Sequence, residues 1–153
     1  MNQYKAKHLA KDLMLKHGIA HWDFGFDRSI RRFGICYIKK QRISLSAPLV
    51  ELNEEPEVRD VILHEIAHAL AGLNEGHGPK WRQICRDIGA IPERCYSRIM
   101  VTQPKAKLHA VCGVCKHEAF RNRMPNNNRK HACGKCYRKT GLYNAIAYKP
   151  NRG

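Results

Sequence analysis

The 153-residue chain contains no run of about 18 consecutive apolar residues, so a membrane-spanning helix is not expected. The basic opening, MNQYKAKHLAKDLMLKHG, has no continuous apolar stretch and does not read as a secretory signal. It also lacks serine and arginine, which argues against a transit peptide and for a core-packed helix. Acidic residues nearly vanish from the last third. Residues 101–153 hold one, Glu118, against 12 lysines and arginines, whereas residues 1–100 hold 12 acids against 16. The net charge of +15 is therefore concentrated late in the chain, and such a stretch suits nucleic acid or another polyanion. An even set of cysteines is missing too. There are seven, four of them in two CxxC pairs, which fits metal binding in a reducing compartment better than a disulfide framework. A cytoplasmic protein is expected, nucleoid-associated in a bacterial or viral setting. Cys36, Cys85 and Cys95 read as small buried apolar residues. No long internal repeat is present, and the one low-complexity piece, Asn126-Asn127-Asn128, reads as a loop tip.

With 43% hydrophobic residues, the chain can bury a core of its own, enough for one compact domain and a small appendage. Residues 4–17 place Ala6, Leu9, Ala10, Leu13 and Met14 at helical spacing, and Gly18 supplies a stop. Trp22, Phe24 and Phe26 alternate as in a strand, residues 32–38 extend again, and Arg42 to Ser46 alternates with Ile43 and Leu45 on one face. A small antiparallel sheet of three strands is expected. Asn53 followed by Glu54, Glu55, Pro56 and Glu57 reads as a capped helix start, and the helix runs to Ala71 with Gly72 as its end. A third helix starts at Pro79 and stops at Gly89. The boundary falls in the polar stretch around Pro104, giving domains at 1–103 and 104–153. The expected class is α+β, three helices on a small antiparallel sheet followed by a small β ribbon.

The second helix carries His64-Glu65-Ile66-Ala67-His68. Residues four apart on a helix share a face, so both imidazoles can reach one ion. Zinc accepts neutral imidazole, and a catalytic zinc keeps one of four positions for water, which demands a third protein ligand. Glu65 is turned off the metal face but beside it, where a general base belongs. The bland alternative is a buried helix with satisfied polar residues. Against it, Val61, Ile62, Leu63, Ile66, Ala67 and Leu70 make the helix strongly apolar, and ionisable groups sunk there need partners. The pattern HExxHxxGxxH fails, because Ala71 and Asn74 stand at its later positions. Asp87 or Glu93 on a later helix can be imagined as third ligand. His77, in the turn Gly76-His77-Gly78-Pro79, is preferred, with Glu75 next.

Cys112-Gly-Val-Cys115 and Cys133-Gly-Lys-Cys136 make two knuckles that together close a four-cysteine site. No position stays open for water, so this second zinc is structural. A redox CxxC or an iron–sulfur cluster is the weaker reading. Arg121, Arg123, Lys130, Lys135, Tyr137, Arg138 and Lys139 are the expected nucleic-acid contacts. Cations neutralise phosphates while Phe120, Tyr137 and Tyr143 either stack on bases or form the ribbon's core.

HEIAHA followed by EGHGPKW resembles the SprT-like metalloproteases, the family that includes Spartan. So do WDFGFDRSIRRFGICY, RISLSAPLV and the closing CxxC…CxxC ribbon. The resemblance implies a minimal zincin-type peptidase, with His64, His68 and His77 as zinc ligands and Glu65 as catalytic glutamate. It implies protein substrates on DNA, with the nucleic acid stimulating cleavage. The two separate ligand sets lead to an expectation of two zinc ions, and the expected partner is single-stranded or duplex DNA, with no membrane and a monomeric chain. Two other classes compete: a nucleic-acid-binding zinc protein without protease activity, and a metallohydrolase of non-peptide substrates. The strand Arg42–Ser46 favours a peptide, whose extended backbone it can pair. Tyr96 is available to an oxyanion.

Overall fold

The computed structural model describes residues 1–93, 101–124 and 131–151. It falls into two compact units, Met1–Pro104 and Lys105–Gly153. Tyr96, Cys95, Lys130 and the asparagine run lie outside the described residues.

In the first unit, helix α1 (Gln3–Lys16) begins where Asn2 Oδ1 accepts the Lys5 N–H at 2.8 Å. Ala6, Ala10, Leu13 and Met14 are its buried face. Strands β1 (Asp23–Asp27), β2 (Gly34–Tyr37) and β3 (Arg42–Ser46) form a sheet in the order β1-β3-β2. A 3-10 turn at Ile38–Lys40, closed by Gln41 at φ 46°, joins β2 to β3 as an antiparallel pair. β1 pairs with β3 in parallel, Phe24 opposite Ile43 and Phe26 opposite Leu45. The expected all-antiparallel sheet is thus mixed. The chain reverses twice between β1 and β3, so the two point the same way. Arg42–Ser46 consequently has a partner on each side and cannot take a peptide. β2, paired on one side only among the described residues, is the strand with the edge beside the next long helix.

A short helix not expected from the pattern, α2 (Ala47–Leu52), follows β3. Ser46 Oγ accepts the Leu49 N–H at 3.2 Å and Pro48 occupies its first turn. The long helix α3 (Glu55–Ala71) is capped by Glu54, not Asn53. Asn53 closes α2 instead. Its amide donates to the carbonyls of Leu49 (2.7 Å) and Thr102 (2.9 Å) and accepts the Thr102 N–H (2.7 Å). Glu55 and Glu57 stand in the first turn of α3, where the helix dipole favours anions. Val58, Val61, Ile62, Leu63, Ile66 and Ala67 are buried against α1 and the sheet. Each large side chain among them contributes about 1.5–3 kcal/mol. Helix α4 (Pro79–Ile88) brings Trp81 and Cys85 into the same core, and Cys36 lies half-buried at its margin.

In the second unit, β4 (Leu108–Val111) pairs antiparallel with β5 (Glu118–Arg121) and β6 (Lys149–Pro150). A seven-residue helix, α5 (Gly134–Thr140), begins at the second knuckle. Buried residues are few: Leu108, Ala110, Cys112, Cys133 and Cys136. Phe120, Tyr137 and Tyr143 are about half exposed and do not form a core. The class is α+β. Among the described residues no helix is long and apolar enough to cross a membrane.

Candidate metal centre

The helical repeat puts His64 and His68 on one face of α3, and the turn before α4 returns His77 beneath them. His77 Nε2 lies 3.2 Å from His68 Nε2 and 3.3 Å from His64 Nε2. A ring nitrogen has one in-plane position, holding a proton or a lone pair, so three converging nitrogens share one proton at best. A cation satisfies all three. Zinc–nitrogen bonds of about 2.0–2.1 Å in a tetrahedron put nitrogens about 3.3–3.4 Å apart. The observed spacing fits zinc.

Burial lowers His64 to about 3 and His68 to about 4, so both are neutral imidazoles, the form that ligates. The Gly76 carbonyl accepts a hydrogen bond from His68. With Nε2 facing the cluster, that bond holds Nδ1 protonated and orients the ring. Trp81, fully buried, is the floor. Its ring stacks on His68 at 5.2 Å between centroids and meets His64 at 4.8 Å and His77 at 4.6 Å.

Glu65 is 6% exposed and faces β2. Burial raises its carboxyl to about 8, opposed by the Arg32 guanidinium and a hydrogen bond from the Cys36 N–H. A dication at the histidines would favour the charged form. A Cβ on Gly34 would stand 2.6 Å from Glu65 Oε1 and 2.8 Å from its Cγ, so only glycine lets the strand approach this closely. The periodicity gave no sign of Gly34 or of the aromatic floor. A glycine inside a strand pattern was the available signal.

Glu75, the alternative third ligand, is otherwise occupied. Its Oε1 accepts the Lys80 N–H at 3.0 Å, and Lys80 Nζ donates to the Ala71 carbonyl at 2.9 Å. Together they brace the turn that carries His77. Asp87 accepts from Gln83 on the outside of α4 and is not in the cluster. Glu93 is exposed and outside the cluster as well. Glu75→Ala is expected to weaken zinc binding roughly tenfold by loosening the turn. Glu75→Gln, whose amide oxygen still accepts, should keep wild-type affinity, and His77→Ala should lose far more. Competition with a chromogenic chelator measures all three. Loss in Glu75→Gln equal to that in His77→Ala would make Glu75 a ligand.

The shifts also set how the metal-stripped protein responds to pH. Between their folded values and the unfolded 6.5, His64 and His68 bind protons only when unfolded, so stability rises with pH up to about 6.5. Glu65, raised from 4.5 to about 8, binds a proton only when folded across that window, so its contribution falls as pH rises. The two histidines outweigh it below 6.5, and above 6.5 it is the one of these three groups that still acts. Thermal unfolding with chelator should show a maximum near pH 6.5, and Glu65→Gln should remove the decline toward pH 8. A decline that survives in the variant would assign it to another group.

In the second unit, Cys112 and Cys136 Sγ are 3.8 Å apart and Cys115 and Cys133 Sγ 3.6 Å, all four within 4.8 Å. Zinc–sulfur bonds of about 2.3 Å in a tetrahedron require about 3.8 Å. The Cys115 N–H, above all, lowers the Cys112 thiol to about 6, while the neighbouring thiols raise Cys136. Four thiolates cannot gather without a cation.

The expected nucleic-acid contacts are on this unit's surface. Lys135, Tyr137, Arg138 and Lys139 are exposed on α5, and Arg123 is exposed just after β5. Arg121 is partly engaged: its Nε donates to Tyr148 Oη at 2.9 Å and its guanidinium lies 5.1 Å over that ring. Phe120 stacks on His109 at 4.7 Å, opposite it across β4 and β5. Neither pairing was legible from the sequence.

A family model described as the SprT-like family matches residues 5–101. Curated relatives named Protein SprT include that of Glaesserella parasuis serovar 5, 26% identical over 69% of this chain and 73% of its own. The Yersinia enterocolitica protein is 25% identical over 67% and 65%, and that of Pseudomonas putida 24% over 74% and 74%. The matches thus span about two thirds to three quarters of these relatives. Among solved structures, the metallopeptidase zymogen jannalysin of Methanocaldococcus jannaschii is similar at 18% identity and TM-score 0.46, covering 62% of this chain and 85% of that one.

Proposed function

This chain belongs to the SprT-like family, and from that premise we propose that it is a zinc-dependent peptidase acting on proteins associated with nucleic acid. The carrying observation is the convergence of three imidazole nitrogens at 3.2–3.3 Å beside one buried carboxylate. His64, His68 and His77 would hold zinc, which when bound supplies Lewis acidity and a water of lowered pKa. Glu65 takes the proton of the attacking water and returns it to the departing amine. β2, with one edge outside the sheet among the described residues and its Gly34 against Glu65, aligns an extended peptide backbone with the reacting groups. The four cysteines would hold a second zinc, making two per chain. Exposed Tyr137, Phe120 and Tyr143 among the cations of the second unit suit single strands at least as well as duplex, drawing DNA-bound substrates in.

The test is cleavage of a DNA-binding protein with and without single-stranded DNA, across a salt series. Cleavage should stop with chelator and return with zinc. DNA should stimulate it, with log affinity falling against log salt by about 0.7–0.9 per phosphate neutralised. Zinc binding without cleavage of any protein would leave a nucleic-acid-binding zinc protein. Gly34→Ala tests the alignment. Displacing Glu65 by about an ångström should cost about 10²-fold in kcat/KM with zinc content unchanged. Full activity in that variant would detach β2 from the chemistry.

A further inference from the structure

Positive charge in the first unit is not spread evenly. Residues 28–42, RSIRRFGICYIKKQR, hold six lysines and arginines and no acid, while the rest of residues 1–104 holds ten against 12 acids. Part of this segment enters the cleft. Arg31 and Arg32 line the same cavity of about 470 Å³ as His64, Glu65 and His68. The two arginines differ in their engagement. Arg32 Nη2 is bound to Asp27 Oδ2 at 2.8 Å. Arg31, exposed, makes no ion pair among the described residues.

The loop presenting Arg31 is fixed on both sides. Asp27 Oδ1 accepts the Ser29 N–H at 2.8 Å, and Ser29 Oγ accepts the N–H groups of Arg31 and Arg32, each at 3.3 Å. Ser46 Oγ donates to the Ser29 carbonyl, and the Ser46 N–H donates to the Phe33 carbonyl at 2.7 Å. Little backbone freedom remains to be lost when a ligand arrives. Among the described residues, the other polar lining side chains outside the histidines are neutral Asn74 and Gln103, and the one acid, Glu65, is committed to the Cys36 N–H and the reaction. Among the described residues the cleft therefore offers one guanidinium with no carboxylate to meet it.

Resting on the peptidase reading, we propose that Arg31 is a specificity-determining residue that receives an aspartate or glutamate side chain of the substrate close to the scissile bond. Arg31 precedes Gly34 by three residues, at most about 10 Å along the chain. Gly34 abuts Glu65, so a peptide lying along β2 has residues one to three positions from the reacting carbonyl within reach of the guanidinium. Its planar fork matches a carboxylate in two parallel hydrogen bonds. A nucleic-acid backbone fits this place less well. Among the described residues the cavity is lined by one cation outside an ion pair, Arg31, whereas a phosphate chain needs a row of them.

The experiment uses the zinc-loaded full chain and matched peptides that differ only by glutamate or glutamine, scanned over three positions on either side of the cut. At one position glutamate should raise kcat/KM by about tenfold or more at low salt, mainly through KM. Arg31→Ala should bring that ratio close to one, and Arg31→Glu should turn the preference to lysine. Binding of the same peptides to the Glu65→Gln protein, read by fluorescence anisotropy, should show the same dependence on Arg31 without any cleavage. A ratio of one at every position in the wild type, or a ratio kept in Arg31→Ala, overturns the proposal. So does loss of single-stranded oligonucleotide affinity in Arg31→Ala with the peptide ratio unchanged, which would give the residue to a phosphate backbone. If no peptide is cut but glutamate-dependent binding persists and needs Arg31, the peptidase reading fails and the anionic subsite stands.

Discussion

Replacing Glu65 by glutamine is expected to lower protein cleavage by about 10²–10⁴-fold while the zinc content per chain is unchanged. The amide is nearly the same size, so the packing against Gly34 survives, yet it cannot take a proton from water. Zinc retention follows because Glu65 is outside the histidine cluster, facing β2 and the Cys36 N–H. Fold retention follows because removing a buried carboxylate relieves a desolvation cost. Elemental analysis and turnover on one substrate decide it. A variant that loses the histidine zinc would make Glu65 part of the metal site, and one that keeps its turnover would place water activation elsewhere.

Loss of the cysteine metal should unfold the second unit outright and leave the first intact. The reason is the size of its core. Apart from Leu108 and Ala110, the buried side chains are three cysteines, with Cys115 and Ile146 against them. Apolar burial on that scale cannot offset the ordering of some fifty residues, whereas metal binding in such small sites is worth about 10–16 kcal/mol. Cys112→Ser with Cys115→Ser should abolish amide protection and dispersion of NMR signals from residues 105–151. Signals of residues 1–93 should stay where they are, and one zinc per chain should remain. A folded second unit in that variant would mean that contacts other than metal ligation hold it.

The metal-binding groups were legible because their chemistry is written in local spacing. His64 and His68 are a helix repeat apart, and each CxxC is a complete knuckle. His77 was legible as a candidate because glycines on both sides announce a turn. What could not be read was anything decided between distant segments. Alternation at Phe24, Phe26, Ile43 and Leu45 reports which side chains are buried, but strand order depends on how the loops cross, so the parallel pairing and the central position of β3 were missed. Asn53 looks like a helix cap beside its acids, yet its amide serves Thr102, 49 residues away. Gly34 has no local signature that says a carboxylate lies against it.

That long-range pin has a consequence for how the protein is made. Synthesis runs from the N-terminus, and domains fold as units as they emerge. α1, the sheet, α3 and α4 all precede residue 90, so most of the first unit is available to assemble early. Until Thr102 leaves the ribosome, however, the Asn53 amide, 4% exposed once folded, keeps its bond to the Leu49 carbonyl but lacks the two it makes with the Thr102 backbone. Leaving its buried oxygen without the Thr102 N–H donor costs about 1–3 kcal/mol, a large part of a small domain's stability. The nascent first unit thus reaches full stability only when the chain has been extended to the threshold of the second unit, before any of the four cysteines has emerged. A chain stalled or cut short of residue 102 is expected to hold a loosely closed first unit, exposed to degradation, and the order of translation keeps that unit's completion independent of the cysteine metal.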